Sequence, residues 1–128
     1  MTITEKSSTG LEPNLAAALS YLLGPITGIV FFAIEKESRF VRFHAMQSIV
    51  TGLAVLALWI VYSVIASVLI VIPILGWIVM ILLWAVITLG LFVLWVFLMI
   101  KAFQGDRFKL PYLGDIAEKQ AEKPIGSL

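Results

Sequence analysis

The sequence predicts an all-α, polytopic membrane protein, a three-helix transmembrane bundle with polar termini. One observation is composition: 61% of the 128 residues are hydrophobic, the mean hydropathy is +1.05 and only 13% are charged. A soluble domain carries about twice that share of charge. The other observation is patterning. The charges are confined to the two ends and one short cluster, which leaves apolar blocks as long as a membrane-spanning helix needs.

The chain begins with a polar N-terminal tail, residues 1–13, which lacks the basic region and short apolar core of a cleaved signal peptide. Residues 14–34 follow without a charge. Their length matches the ~20 residues that cross ~30 Å of hydrocarbon. They are predicted to form the first transmembrane helix, with Asn14 as a plausible N-cap.

A basic, aromatic cytoplasmic loop is predicted at residues 35–47. From Phe43 to Ile100 there is no formal charge, and a single helix of that length would be ~87 Å long, about three bilayer cores. The chain must therefore fold back, and Pro73 and Gly76 mark a turn at residues 73–76. Residues 48–72 and 77–100 are the second and third predicted spans. A soluble buried helix is the disfavoured alternative, because residues 48–72 are rich in Leu, Ile and Val.

The C-terminal tail, residues 101–128, is polar and predicted to be cytoplasmic. Residues 110–114 are predicted as a turn at the interface, and residues 115–123 as a short surface helix that ends at Pro124. Basic residues set the orientation in the cell membrane. With three spans, one side carries Lys6 and the other carries six residues: Lys36, Arg39, Arg42, Lys101, Arg107 and Lys109. The N-terminus is therefore expected outside and the C-terminus in the cytoplasm.

Small residues recur every four positions in the first predicted span, at Ser20, Gly24 and Gly28. Such a stripe allows another helix to approach closely, while Pro25 interrupts the helix and favours a bend. The stripe is interpreted as helix packing. Packing within the chain is favoured, and a subunit interface or a flexible hinge is the alternative.

The segment 39–48 combines charge with aromatic side chains. Arg39 and Arg42 are predicted to bind lipid phosphates or an anionic partner, while Phe40 and Phe43 dip into the interface. Anchoring to lipid phosphates is the simpler interpretation. A lined vestibule or a binding site for an anionic partner is the alternative.

A polar stripe continues from that segment into the second span, because His44, Gln47, Ser48 and Thr51 fall at helical spacing. A polar group in hydrocarbon needs a partner, so the stripe is expected to face protein or water. For His44 and Gln47 we expect a buried interhelical hydrogen bond.

Three stretches carry a resemblance to a known family: residues 39–48 (RFVRFHAMQS) with Glu35 and Lys36, residues 19–24 (LSYLLG) with Thr27 and Gly28, and residues 101–105 (KAFQG). They resemble a family of small prokaryotic membrane proteins of unknown function. That family is described as similar to the Tic-twenty subunit of the chloroplast protein-import machinery. The resemblance implies a membrane component of transport or protein translocation, and it supplies no catalytic residues.

Composition and motifs narrow the function classes. A net charge of +1 gives no field for nucleic acid, and one histidine and no cysteine exclude a His-rich metal site and thiol chemistry within the chain. No catalytic, cofactor or metal site is predicted, so the chain is not expected to be an enzyme. Two hypotheses remain. One is an oligomeric transport or translocation component. The other is a non-transporting structural or assembly factor that binds anionic lipids and partner membrane helices. The expected partners are the bilayer and either further copies or another membrane protein.

Overall fold

The structure is a computed structural model that describes residues 7–122. Lys6, which the orientation argument used, and Pro124, predicted to end the last helix, lie outside this range. The described part contains five helices and no strand, which confirms the all-α prediction. The helices are α1 (Pro13–Leu19), α2 (Pro25–Ile34), α3 (Arg39–Leu69), α4 (Leu75–Phe103) and α5 (Leu113–Ala121).

Two of these helices are long and apolar enough to cross a membrane. With 31 residues in α3 and 29 in α4, they are ~46 and ~44 Å long at 1.5 Å per residue. Residues 70–74 join them in a tight turn that contains Pro73. Since α4 begins at Leu75, the turn lies slightly earlier than the predicted residues 73–76. A side chain at Gly76 would collide with the Leu69 carbonyl oxygen, so glycine is required there.

The first predicted span is not one helix, and the structure has two candidate spans where three were predicted. Residues 14–34 form α1, of 7 residues, and α2, of 10 residues. At ~15 Å, even α2 is too short to cross ~30 Å of hydrocarbon. The break lies at residues 20–24, where Gly24 has a φ of 64° and Pro25 has no N–H to continue the helix.

Together α1 and α2 form a helical hairpin (residues 13–34). The Asn14 Nδ2 at its start donates to the Phe103 backbone oxygen at the end of α4, at 3.0 Å. Its turn reaches α3 at Ser48, whose Oγ donates to the Gly24 oxygen at 2.8 Å. Ser48 lies nine residues into α3, or ~14 Å from Arg39 along the axis. The hairpin therefore reaches only part of the way along the long helices and turns back.

The predicted loop at residues 35–47 is mostly helical. Ser38 is the N-cap of α3, and its Oγ accepts from the Val41 N–H at 3.2 Å. Residues 39–47 therefore form the first turns of α3, nine residues earlier than the predicted start of the second span. The sequence argument placed this boundary where charge gives way to hydrocarbon, but a capped helix can continue past the membrane surface.

Both ends of the described chain lie at the Arg39 end of α3. There the Ser7 Oγ donates to the Glu35 carboxylate at 2.5 Å, and the Arg42 Nε donates to the Ala121 oxygen at 3.1 Å. From Ser7 onward, the N-terminal residues therefore lie at the end of α3 opposite the turn at residues 70–74. The side of the membrane that each end faces stays a prediction.

The core is concentrated at this end of the molecule, in two clusters. One joins α1 to the last turns of α4 through Ala16, Ala17, Leu98, Ala102 and Leu110. The other places α5 on α3, with Ala117 and Ala121 against Phe43, Ala45 and Met46. Beyond the hairpin, α3 and α4 expose apolar side chains on most faces. That surface is the one a bilayer would cover.

Candidate functional site

The first turns of α3 carry two fully buried polar side chains, His44 and Gln47, and Tyr21 of the hairpin lies beside them with 3% of its surface exposed. We call these three residues the polar cluster. Buried polar groups without partners are costly. Each member of the polar cluster has partners from elsewhere in the chain.

His44 links the hairpin to the segment that follows α4. Its Nε2 lies 3.1 Å from the Asp106 backbone oxygen, and a carbonyl can only accept, so Nε2 carries the proton. Its Nδ1 lies 2.6 Å from the Tyr21 hydroxyl and accepts from it. Phe40 and Phe43 pack edge-on to the ring, at centroid distances of 4.7 and 5.1 Å. These contacts all suit a neutral imidazole.

Gln47 completes the polar cluster. Its Nε2 donates to the Tyr21 hydroxyl at 2.8 Å and to the Phe108 oxygen at 3.0 Å. Its Oε1 accepts from the Leu110 N–H at 3.0 Å. The bonds from α3 therefore hold two things in place: the hairpin, and residues 104–112, which we call the post-α4 segment.

The hairpin turn depends on side chains from three helices. Pro25 deprives the Tyr21 carbonyl of its usual helical donor, and Trp95 Nε1 of α4 donates to that oxygen at 2.7 Å. The Thr27 Oγ1 accepts from the Leu23 N–H at 3.1 Å and lies 3.1 Å from the Ser20 oxygen. Irregular backbone at membrane depth is tolerated only where the protein satisfies its polar groups, and these contacts do so.

The small-residue stripe lies partly in this turn. The Ser20 Oγ donates to the Ala17 oxygen at 2.6 Å, and Gly24 has the positive φ of the break. Gly28 packs on α3: a Cβ there would lie 2.9 Å from the Ala45 oxygen and 3.0 Å from the Ser48 Cβ. The close approach at Gly28 is therefore within the chain. A role of the stripe between subunits stays a prediction.

Glu35, between α2 and α3, fixes the described start of the chain. Its buried carboxylate accepts from the Ser8 N–H at 2.7 Å, from the Ser38 N–H at 3.0 Å and from the Ser7 hydroxyl. Burial by itself raises the pKa of Glu35, but the hydrogen bonds from these serines outweigh it and bring the pKa below its ordinary value.

Arg42 is used inside the molecule. Its Nη1 donates to the Glu35 and Phe32 backbone oxygens at 2.7 and 3.2 Å, and its Nε donates to the Ala121 oxygen. These carbonyls lie at the C-terminal ends of α2 and α5, where positive charge is favourable. The guanidinium also lies 4.1 Å from the centroid of the Phe32 ring.

The other members of the predicted lipid-binding group differ in exposure. Arg39 is exposed, whereas Phe40 and Phe43 are buried. The structure therefore does not place these four side chains on one surface, and lipid binding stays a prediction. In the polar stripe, Ser48 bonds to the hairpin turn, and the Thr51 Oγ1 is buried without a hydrogen-bond partner within residues 7–122.

Neither the Tyr21 hydroxyl nor the Glu35 carboxylate was predicted from the sequence as part of a site. Tyr21 does carry a signal, since it is a polar tip within an uncharged block four residues before Pro25. Glu35 has none, because an acidic residue directly after an apolar block is ordinary at a membrane surface. Across residues 7–122, no three His, Cys, Asp or Glu side chains are grouped so that they could hold a metal ion.

Comparison with known proteins identifies the family. The model of the magnetosome magnetite crystal formation protein family (MamF/MmsF) matches residues 12–117. The chain belongs to this family. A relative in Methanocaldococcus jannaschii, named a UPF0132 membrane protein, is 45% identical over 91% of this chain and 96% of its own length. A UPF0132 membrane protein of Archaeoglobus fulgidus is 46% identical over 86% of this chain and 96% of its own length. No solved structure matches the chain.

These relatives and the two apolar helices establish a membrane protein of the MamF/MmsF family. The expected membership of a small prokaryotic membrane-protein family agrees with this result. The comparisons do not show the resemblance to the Tic-twenty subunit, and they give no support to a transport or translocation role.

Proposed function

We propose that this protein is a non-transporting structural or assembly factor of the cell membrane, whose basic end holds anionic lipids and partner membrane proteins. The supporting observation is the use of the polar side chains of α3. His44, Gln47 and Ser48 are the groups that would line a polar path, and each is bonded to another part of the same chain. A satisfied buried network rigidifies a fold, so these groups serve to build one firm end of the molecule.

The proposal includes an orientation. Lys and Arg residues of the described part lie at the Arg39 end of the helices, and the turn at residues 70–74 has none; the basic residues are Lys36, Arg39, Arg42, Lys101, Arg107, Lys109 and Lys119. Basic residues mark the cytoplasmic side. Since Ser7 and α5 lie at the same end, both ends of the described chain are cytoplasmic, and the hairpin enters and leaves the inner leaflet.

Cysteine labelling tests this orientation cleanly, because the sequence has no cysteine. In intact cells, single cysteines at Glu12 and Lys119 should be protected from a membrane-impermeant maleimide, and one at Ile72 should react. Labelling at Glu12 together with protection at Lys119 would restore the three-span arrangement with the N-terminus outside.

The lipid part of the proposal rests on Arg39, the exposed member of the predicted group. One basic residue near an anionic leaflet contributes about 1 kcal/mol, which corresponds to roughly fivefold in association. Arg39→Gln should therefore reduce enrichment of anionic lipid around the purified protein by about that factor. The neighbouring Glu37→Gln is the control and should not reduce it. Arg42→Gln should destabilise the fold instead, because its bonds are internal.

A flux assay decides between the proposal and transport. Protein reconstituted in liposomes should pass potassium, chloride and protons no faster than protein-free liposomes do. Flux above that level, lost in Gln47→Ala but kept in the control Ser63→Ala, would replace the proposal with a transport function. Both variants must be shown to insert to the same level as the parent protein.

The family description concerns magnetite crystal formation. A membrane factor that organises partners is compatible with that description without any metal ligand of its own. For this chain we therefore propose a role in organising partner proteins at the membrane.

A further inference from the structure

A groove begins beside the hairpin turn and runs on along the outer part of α3. It begins as a cavity of about 600 Å³ between α3 and α4, and Gly24 and Pro25 of the hairpin turn line one end. A second groove of about 480 Å³ continues along α3 as far as Ser67. The two share Leu56 and Trp59, so they form one feature, which we call the lateral groove.

We propose that the lateral groove binds one hydrocarbon chain of a membrane lipid. The lining near the hairpin is almost wholly apolar and includes Val55, Leu91 and Leu94. Water is a poor occupant, because a buried water needs about three polar partners. The α3 and α4 segments that form the groove expose apolar side chains, so the medium beside its opening is hydrocarbon.

The size of the groove selects the kind of occupant. A helix 10–12 Å across fills roughly 80–110 Å³ per ångström of its length. The two parts of the groove, about 600 and about 480 Å³, would therefore together hold only about two turns of a helix from a second copy. A lipid chain is much thinner and extends through one leaflet, about 15 Å. From Thr51 to Ser67 the groove follows α3 for ~24 Å, which is long enough for such a chain.

The short hairpin explains why such a site exists. A third crossing helix would fill the space between α3 and α4 over their whole length. Because the hairpin turns back at Gly24, the outer part of that space lacks protein atoms. Dispersion contacts are lost wherever a void is left, and a lipid chain restores them. The proposed lipid chain would therefore pack against α3 and α4 where the fold has no third helix.

Photolabelling tests the proposal on the intact protein. The protein is placed in nanodiscs with a phosphatidylglycerol that carries a diazirine near the end of one acyl chain, and labelled residues are located by mass spectrometry. Labelling should concentrate on the residues that line the groove and exceed that of Val93, an exposed residue of α4 outside it. Val55→Trp fills the cavity and should lose the excess, while the matched Val93→Trp should keep it.

Leu91→Trp reaches the cavity from the other helix, so a folding defect in one variant leaves the other to decide. Equal labelling of lining and exposed residues in the parent protein would overturn the proposal. An excess that survives both filling variants would do the same. A single cysteine at Leu56 tests for a second copy: efficient disulfide dimers would mean that protein occupies the groove, and monomers are expected.

Discussion

Replacing Gln47 with methionine should release the post-α4 segment. The side-chain amide of Gln47 bonds the Phe108 oxygen and the Leu110 N–H, both at 3.0 Å. Methionine keeps the length of the side chain and removes its donors and acceptor. Each buried group left without a partner costs about 1–3 kcal/mol, so two cost about 2–6 kcal/mol. Tyr21 also loses a donor, but it keeps its bond to His44.

Trypsin can measure this release, because the post-α4 segment contains Arg107 and Lys109. When opening is fast, the cleavage rate follows the population of the open form. A loss of about 2 kcal/mol raises that population roughly thirtyfold. Cleavage at these two sites should therefore accelerate by at least that factor in Gln47→Met. The control is Ser63→Ala, since within residues 7–122 the Ser63 hydroxyl bonds only to the Trp59 oxygen of its own helix. Unchanged cleavage in Gln47→Met would refute the role given to the amide.

Two further predictions concern the packing of the hairpin at Gly28 and the hydrogen bonds to the Glu35 carboxylate. Gly28→Leu should force α2 away from α3 and cost about 1–3 kcal/mol or more of stability, which is measured as a loss of thermal stability in detergent. Gly90→Leu is the control and should have little effect, because nothing lies within 4 Å of a Cβ there. Equal losses in the two variants would argue against packing at Gly28. The folded-state pKa of Glu35 is below its ordinary value of 4.5, so its contribution is complete above that pH and is lost as the pH falls through the lower folded-state pKa. Hydrogen exchange of the Ser8 amide, corrected for its intrinsic rate, should then show protection that falls in that acidic range in the parent protein. In Glu35→Gln the protection should not depend on pH, because the amide keeps an acceptor oxygen and does not titrate. Protection independent of pH in the parent protein would contradict this.

The two long helices could be predicted because their cause is local. An uncharged stretch too long for one crossing, with Pro73 inside it, leaves a helical hairpin as the simplest solution. The fate of residues 14–34 could not be predicted in the same way. Their length and hydrophobicity satisfy the criterion for a span, and Pro25 alone is compatible with a bent crossing helix. What fixes the break is distant in sequence, namely the bonds from Ser48 and Trp95 to the carbonyls of the turn.

The polar cluster shows the same division. Helical spacing and the cost of burying polar groups in hydrocarbon were enough to expect that His44 and Gln47 face protein. Their partners were beyond reach, because Phe108 and Leu110 lie 61 and 63 residues from Gln47 in a tail that reads as polar and solvated. The helical start at Arg39 was missed for a different reason. The predicted boundary of the helix was placed where the charged residues end. Ser38 is a residue type that often caps a helix N-terminus, but it was not considered as a cap.

The short hairpin connects these features to the proposed function. A helix that crosses the bilayer satisfies its own backbone, whereas a turn at membrane depth needs donors and acceptors from its neighbours. Here those groups are Ser48, Thr27 and Trp95. His44 and Gln47 in turn bond Tyr21 of the hairpin and the post-α4 segment. Three polar side chains of α3 that a transporter would offer to a solute, those of His44, Gln47 and Ser48, are therefore committed to backbone and side-chain partners. The surface left for interaction with partner proteins is therefore the basic end, whereas the lateral groove that the hairpin leaves open faces hydrocarbon.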